Sequence, residues 1–221
     1  MPAMLGVAMF LLAGRADASP PPALPEGISA ELLLESPVVR VARLTLQPGA
    51  AEPVHAHDHD FLAVSLGEGT LKVAGGGAAE TVPQTAGTAT FFHAGAPHAV
   101  SNVGRAPLVV LGAALRHRSS APAAGADPVA ASPNYRVLFD NERVRVLEHR
   151  LPAAAREARH GHPDYVVYAV TGGRFRATFA DGRQADVTVE PGQALGRAAQ
   201  EHALENTGAL EARSLVIEVK P

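Results

Sequence analysis

His55-Ala56-His57-Asp58-His59-Asp60-Phe61 and His160-Gly161-His162-Pro163-Asp164-Tyr165 are two readings of one pattern. Each opens on His-x-His, and each is followed far downstream by a lone histidine with an asparagine four positions later, His98/Asn102 and His202/Asn206. The offset between the copies shortens by one residue between the first and last histidines. Val39-Arg40-Val41 answers Val144-Arg145-Val146, Asp60-Phe61 answers Asp164-Tyr165, and Gly69 answers Gly173. Types and spacings kept together over such a distance mark an internal repeat. Each unit spans roughly 85 to 95 residues, enough for a small domain with its own core.

The 221-residue chain therefore divides into two domains and a leader. Residues 1–18 read as a signal peptide: Leu5 to Ala13 is apolar but too short to span a bilayer, and Ala16-Asp17-Ala18 offers a small-x-small cleavage site. No Lys or Arg precedes the apolar run, so the leader is weak. The expected location is periplasmic or secreted, with a cytoplasmic protein carrying an apolar tail as the alternative. Domain one covers residues 27–117 and domain two residues 133–221. The Pro-, Ala- and Ser-rich stretch between them, 118–132, reads as a linker.

Strand signals dominate each half. Val38 to Leu46 and Arg143 to Leu151 alternate as half-buried strands do. Phe61 to Leu66 and Tyr165 to Val170 are short apolar runs of the kind buried on both faces or turned into a barrel. Pro48-Gly49, Gly75-Gly76-Gly77, Asp181-Gly182 and Pro191-Gly192 punctuate them. Only the alanine-rich Leu151 to Ala158 suggests a helical turn or two. The expectation is an all-β chain, an antiparallel sandwich or barrel in each half.

Composition narrows the partners. A net charge of −3 and no basic run argue against nucleic acid and against a membrane surface. No integral span is expected in the mature chain. Zero cysteines leave imidazole and carboxylate as metal ligands. A small-molecule ligand or substrate is the expected partner, with homo-oligomerisation left open.

In a strand, residues i and i+2 share a face, so His-x-His aims two imidazoles at one point. A third imidazole from another strand completes a cap for one divalent transition metal per domain, Fe, Mn, Ni, Cu or Zn. The ligand sets are His55, His57 and His98, and His160, His162 and His202. Asp60 is the candidate fourth ligand of the first set, and Asp164 is its equivalent, although Pro163 interrupts the strand geometry there. His59 shares the parity of His55 and His57 and reads as a ligand or a rim residue. His93 reads as a loop or rim histidine. Arg174 and Arg176 alternate after Gly173: either one turns inward to meet a substrate carboxylate, or both are solvated. Tyr165 and Tyr168 cannot share a strand face, so one belongs to the core and the other can line a pocket.

These residues resemble the cupin superfamily, which is marked by a glycine ahead of His-x-His with a glutamate and a glycine behind it, then a glycine ahead of Pro-x-Gly, a histidine and an asparagine. Gly49, His55, His57, Gly87, Gly95, His98 and Asn102 match in the first half, with His93 where proline is expected. In the second half His160, His162, Gly192, His202 and Asn206 match, while Ala154, Ala198 and Gln200 replace expected residues. The chain resembles a bicupin, which implies two tandem β-barrel (jelly-roll) domains. Its second half is further similar to the small single-domain cupins known as β-alanine degradation proteins, through His162 to Tyr168, His202 to Gly208 and Val216-Ile217-Glu218-Val219-Lys220. The usual glutamate position falls on Phe61 or Leu62 and on Tyr165 or Val166. Oxalate decarboxylase-like chemistry, which in this superfamily uses that glutamate, manganese and an acidic lid residue, is thereby disfavoured. A three-histidine site suits iron-dependent oxygen chemistry, or a Lewis acid for isomerisation or hydrolysis. The function expected is a metal-dependent, dioxygenase-like enzyme for a small organic acid. The alternatives are a non-catalytic exported binding protein, or one working half beside one structural half.

Overall fold

The computed structural model describes residues 24–75 and 77–221. The leader read over residues 1–18 lies outside them. Nine strands form each half in the same order. The first half holds β1 (Ile28–Glu35), β2 (Val39–Leu46), β3 (Ala51–His55), β4 (Asp60–Ser65), β5 (Gly69–Gly75), β6 (Glu80–Gln84), β7 (Ala89–Phe92), β8 (His98–Asn102) and β9 (Leu108–Leu115). After a short helix α1 (Pro128–Ala131), the second half repeats them: β10 (Tyr135–Asp140), β11 (Val144–Leu151), β12 (Arg156–His162), β13 (Tyr165–Ala169), β14 (Gly173–Phe179), β15 (Gln184–Val189), β16 (Ala194–Arg197), β17 (Gln200–Asn206) and β18 (Ala212–Val219).

The sheets match as closely as the strands. A five-stranded sheet ordered β1-β2-β9-β4-β7 faces a four-stranded sheet β3-β8-β5-β6, and β10-β11-β18-β13-β16 faces β12-β17-β14-β15. Every pairing is antiparallel; β1/β2 and β5/β6, like β10/β11 and β14/β15, are hairpins within one sheet, and the other consecutive strands cross between the two sheets of each half. The chain is all-β in two units, as the repeat and turn signals lead one to expect, and these are the two tandem jelly-roll barrels that the resemblance implies.

The apolar strands are more buried than simple alternation predicts, because the two five-stranded sheets pack on each other. Val39, Val41, Leu62, Val64, Leu111 and Ala113 of the first barrel form one core with Val144, Val146, Val166, Tyr168 and Ile217 of the second. Residues of the opposite parity, such as Leu46, Leu108 and Val110 in the first barrel and Leu147, Tyr165 and Val216 in the second, point into their own barrel, where they meet Leu71 and Tyr135 respectively. A sheet buried on both faces needs apolar residues at both parities. Tyr168 therefore belongs to the interdomain core, and Tyr165 to the barrel interior.

Two local outcomes differ from the sequence reading. Leu151 to Ala158 is no helix: β11 ends at Leu151, a turn follows, and β12 starts at Arg156. Ala154 sits in that turn at φ 59°, the left-handed conformation that its counterpart Gly49 adopts at φ 80° without steric penalty. Within 118–132, the chain is ordered against the second barrel. Asp127 caps α1 by accepting from Val129 N, and Gly161 N donates to Ala126 O at 2.9 Å. A Cβ on Gly161 would lie 1.5 Å from Ala124 O, so this residue between the two histidines must be glycine. Ala56 occupies the equivalent place in the first barrel.

Candidate metal centres

Both histidine sets converge. A bulge between Glu52 and His55 brings His55 opposite His98 on β3 and β8, and a bulge between Glu157 and His160 brings His160 opposite His202 on β12 and β17. His57, in the turn after β3, and His162, at the end of β12, complete the groups. Ring centroids in the first are 4.4 to 5.0 Å apart, and in the second 4.8 to 5.4 Å. In each group one nitrogen per ring lies within 4.8 Å of the others.

Hydrogen bonds to acceptor-only groups assign several ring protons. Nδ1 of His55, His98 and His160 lies 2.9, 3.0 and 2.8 Å from the carbonyl oxygens of Pro53, Ala96 and Ala158. A carbonyl only accepts, so Nδ1–H donates and Nε2 keeps its lone pair for the cluster. Burial, then the neighbouring imidazoles, push His57 down to about 4 and His202 down to about 3. Burial chiefly lowers His160 as well. His55 Nε2 and His202 Nδ1 are buried without a hydrogen-bond partner. Neutral imidazoles crowded together, some with orphaned nitrogens, fit a divalent transition metal.

The carboxylates proposed from spacing lie elsewhere. Asp60 is not part of the first cluster: Oδ1 accepts from Ala94 N at 3.0 Å, and Oδ2 lies 2.7 Å from Arg143 Nε. Burial alone would raise its pKa, but these partners outweigh it and hold the carboxyl below its usual value. Asp164 has the same job, accepting from Ala199 N at 2.9 Å and from Ser119 Oγ and Ser120 N at 3.1 Å. Each aspartate tethers the loop that leads to the third histidine. His59 and His93 are exposed and outside the clusters. Arg174 and Arg176 are solvated, with Arg176 paired to Asp186 at 2.8 Å.

What the sequence reading missed is the difference between the two barrel interiors. In the second, a cavity of about 370 Å³ meets the triad, lined by Tyr135, His149, His162, Tyr165, Arg197 and His202. Tyr135 Oη lies 3.1 Å from His160 Nε2. Since that nitrogen carries no proton, the hydroxyl donates. Burial, with Glu157 nearby, raises Tyr135 well above the ordinary phenol value, so it stays protonated. His149 stacks on Tyr135 at 4.3 Å, with Nδ1 3.3 Å from Ser214 Oγ and Nε2 3.2 Å from Glu157 Oε2. Burial opposes ionisation of Glu157, but His149, Ser132 and Asn134 bring it down to about 2. In the first barrel the strand registers put Ala30, Leu44, Val110 and Glu52 where the second has Tyr135, His149, Ser214 and Glu157. Leu44 and Val110 there join an apolar core with Leu46, Leu71 and Leu108. Glu218, charged inside the apolar run Leu215-Val216-Ile217-Glu218-Val219, is the one sequence signal of a buried polar group in the second barrel, since a carboxylate is rarely buried without a partner, but it does not line the cavity.

Residues 42–113 match the family model described as a cupin domain. No curated protein matches the chain. Among solved structures, AerE from Microcystis aeruginosa is similar at 12% identity, covering 89% of this chain and 94% of that one, with a TM-score of 0.69. Bacillus subtilis oxalate decarboxylase, described with Mn(II) centres, is similar at 14% identity over 90% of this chain and 78% of that one, TM-score 0.64. A cupin 2 conserved barrel domain protein from Leptotrichia buccalis follows at 14%, with 90% and 91% covered and a TM-score of 0.51. At such identities the likeness is one of fold.

Proposed function

Starting from a tandem cupin fold with a histidine triad in each barrel, we propose that the second barrel is the working centre of a metal-dependent, dioxygenase-like enzyme acting on a small organic acid, with iron as the metal. The observation that carries this reading is the joining of the His160/His162/His202 cluster to a cavity that also presents the Tyr135 hydroxyl and the His149 ring. A purely metal-holding site has no use for a proton donor 3.1 Å from a ligand nitrogen or for an imidazole beside it. When bound, a divalent ion would supply Lewis-acid or redox chemistry at the inner end of the cavity.

The chain's own residues supply the remainder. With His160 Nε2 engaged as a ligand, the Tyr135 O–H would be released from that acceptor and free to donate toward whatever occupies the cavity. His149, held by Ser214 and Glu157, keeps the tyrosine ring in place by stacking. Phe175, Val187 and Leu204 give the cavity apolar walls that suit a hydrocarbon body and exclude water. Arg197 lines the same cavity and forms no ion pair among the described residues. It is the group to meet a substrate carboxylate.

The first barrel fits the non-catalytic alternative better, because apolar side chains fill its interior beside the triad. One protein would then combine a working half and a metal-holding structural half.

Metal analysis of anaerobically purified protein, with dioxygen uptake measured over a panel of short-chain carboxylic acids, tests the reading. About two metal equivalents are expected, falling to about one in His57→Ala and in His162→Ala. Uptake should disappear in His162→Ala and persist in His57→Ala. Arg197→Gln should raise KM and leave metal content alone. Metal-loaded protein that turns over no acid in the panel, or uptake that survives His162→Ala, would remove the enzymatic reading.

A further inference from the structure

One hydrogen bond in the second triad has no counterpart in the first. His162 Nδ1 lies 2.6 Å from Glu218 Oε1, and the two side chains are 1% and 2% exposed. The other carboxylate oxygen accepts from Arg145 Nε at 2.6 Å, and Arg145 Nη1 donates to Asp127 Oδ2 at 2.6 Å. Asp127 is the residue that caps α1. A buried carboxylate needs such compensation, and Arg145 provides it from the neighbouring strand β11, directly opposite Glu218 on the same face of the sheet. Glu218 lies opposite Tyr165, and the residue in that register of the first barrel, opposite Phe61, is Ala114. His57 makes no hydrogen bond among the described residues, and the ring of Phe61 stacks on it at 4.1 Å.

A carboxylate on one imidazole nitrogen keeps the proton there, orients the ring and makes the other nitrogen a better donor to a cation. From this difference we propose that Glu218 is a positioning residue that fixes the tautomer and orientation of His162, and so makes the second triad the tighter of two unequal metal sites. The proposal rests on reading that triad as a metal centre. It makes metal loading of the second barrel depend on the linker, because the Glu218–Arg145–Asp127 chain ends on the helix that the linker forms.

The test is a titration of the metal-free, full-length chain with Zn²⁺ against a chromophoric chelator, repeated with Co²⁺ to read its visible spectrum. Wild-type protein should show two affinity classes, with the tighter one lost in His162→Ala. Glu218→Gln should weaken the tighter class by about 10- to 100-fold, shift the Co²⁺ spectrum of that site and leave the weaker class unchanged. Ala114→Glu should tighten the weaker class, and decides the matter if Glu218→Gln does not fold. Equal sites in the wild type, an unaltered tight class in Glu218→Gln, or an unaltered weak class in Ala114→Glu would overturn the proposal. If His162→Ala leaves both classes intact, the metal-centre reading itself falls.

Discussion

Asp60 of the first barrel and Arg143 of the second meet across the domain boundary, with Oδ2 2.7 Å from Nε and side chains 18% and 12% exposed. The residue that spacing offered as a metal ligand is thus part of the clamp between the barrels. Asp60→Asn should destabilise the chain by about 1–3 kcal/mol, since it leaves a largely buried guanidinium without its anion. Metal content should not change. Loss of one metal equivalent in a folded Asp60→Asn protein would return Asp60 to the ligand set.

The triads make the metal-free protein acid-sensitive. His57 and His202 are lowered to about 4 and about 3 by burial and by neighbouring imidazoles, while in the unfolded chain they titrate near 6.5. Below that pH the unfolded state binds protons that the native state refuses. Their unfavourable contribution is absent well above pH 6.5 and grows as the pH falls toward 4. The unfolding free energy of apo-protein read from urea titration should therefore drop between pH 7.5 and pH 5, by up to about 2 kcal/mol for His202 and by less for the half-exposed, solvent-screened His57. His202→Asn should flatten the profile, and an equally steep profile in that variant would contradict the assignment. Glu157, held down at about 2, adds stability that is full above its unfolded value and lost as the pH falls from about 4.5 toward 2.

Ala154 bears a left-handed backbone at φ 59°, where its counterpart is a glycine. Relief of the Cβ clash is worth about 1–2 kcal/mol, partly offset by the larger entropy of an unfolded glycine. Ala154→Gly should raise thermal stability by about 0.5–1 kcal/mol. A drop in Tm would show that the turn is unstrained.

Gly161 admits the linker backbone to the edge of β12. Gly161→Ala should force residues 118–132 away from the second barrel, and limited proteolysis should find new cleavage there. Ala56→Gly, at the matching place in the first barrel, should change stability by well under 1 kcal/mol. Unchanged proteolysis in Gly161→Ala would mean that the linker finds another seat.

Part of this protein follows from its sequence alone. The repeated His-x-His with a distant His and Asn, the short apolar runs and the Gly and Pro turns determine two all-β units with a triad each. Local rules suffice there, since strand parity and turn geometry act over a few residues. Only the tertiary structure decided which carboxylates stand near the imidazoles. Asp60 and Asp164, close to the histidines in sequence, are turned to loop amides and to partners from beyond their own barrel strands. Glu218, Tyr135 and His149 come from β18, β10 and β11, and reach the second triad through sheet pairing and the closure of the barrel. Parity along one strand cannot reveal that placement, because it depends on which strands become neighbours and on which face a second domain covers.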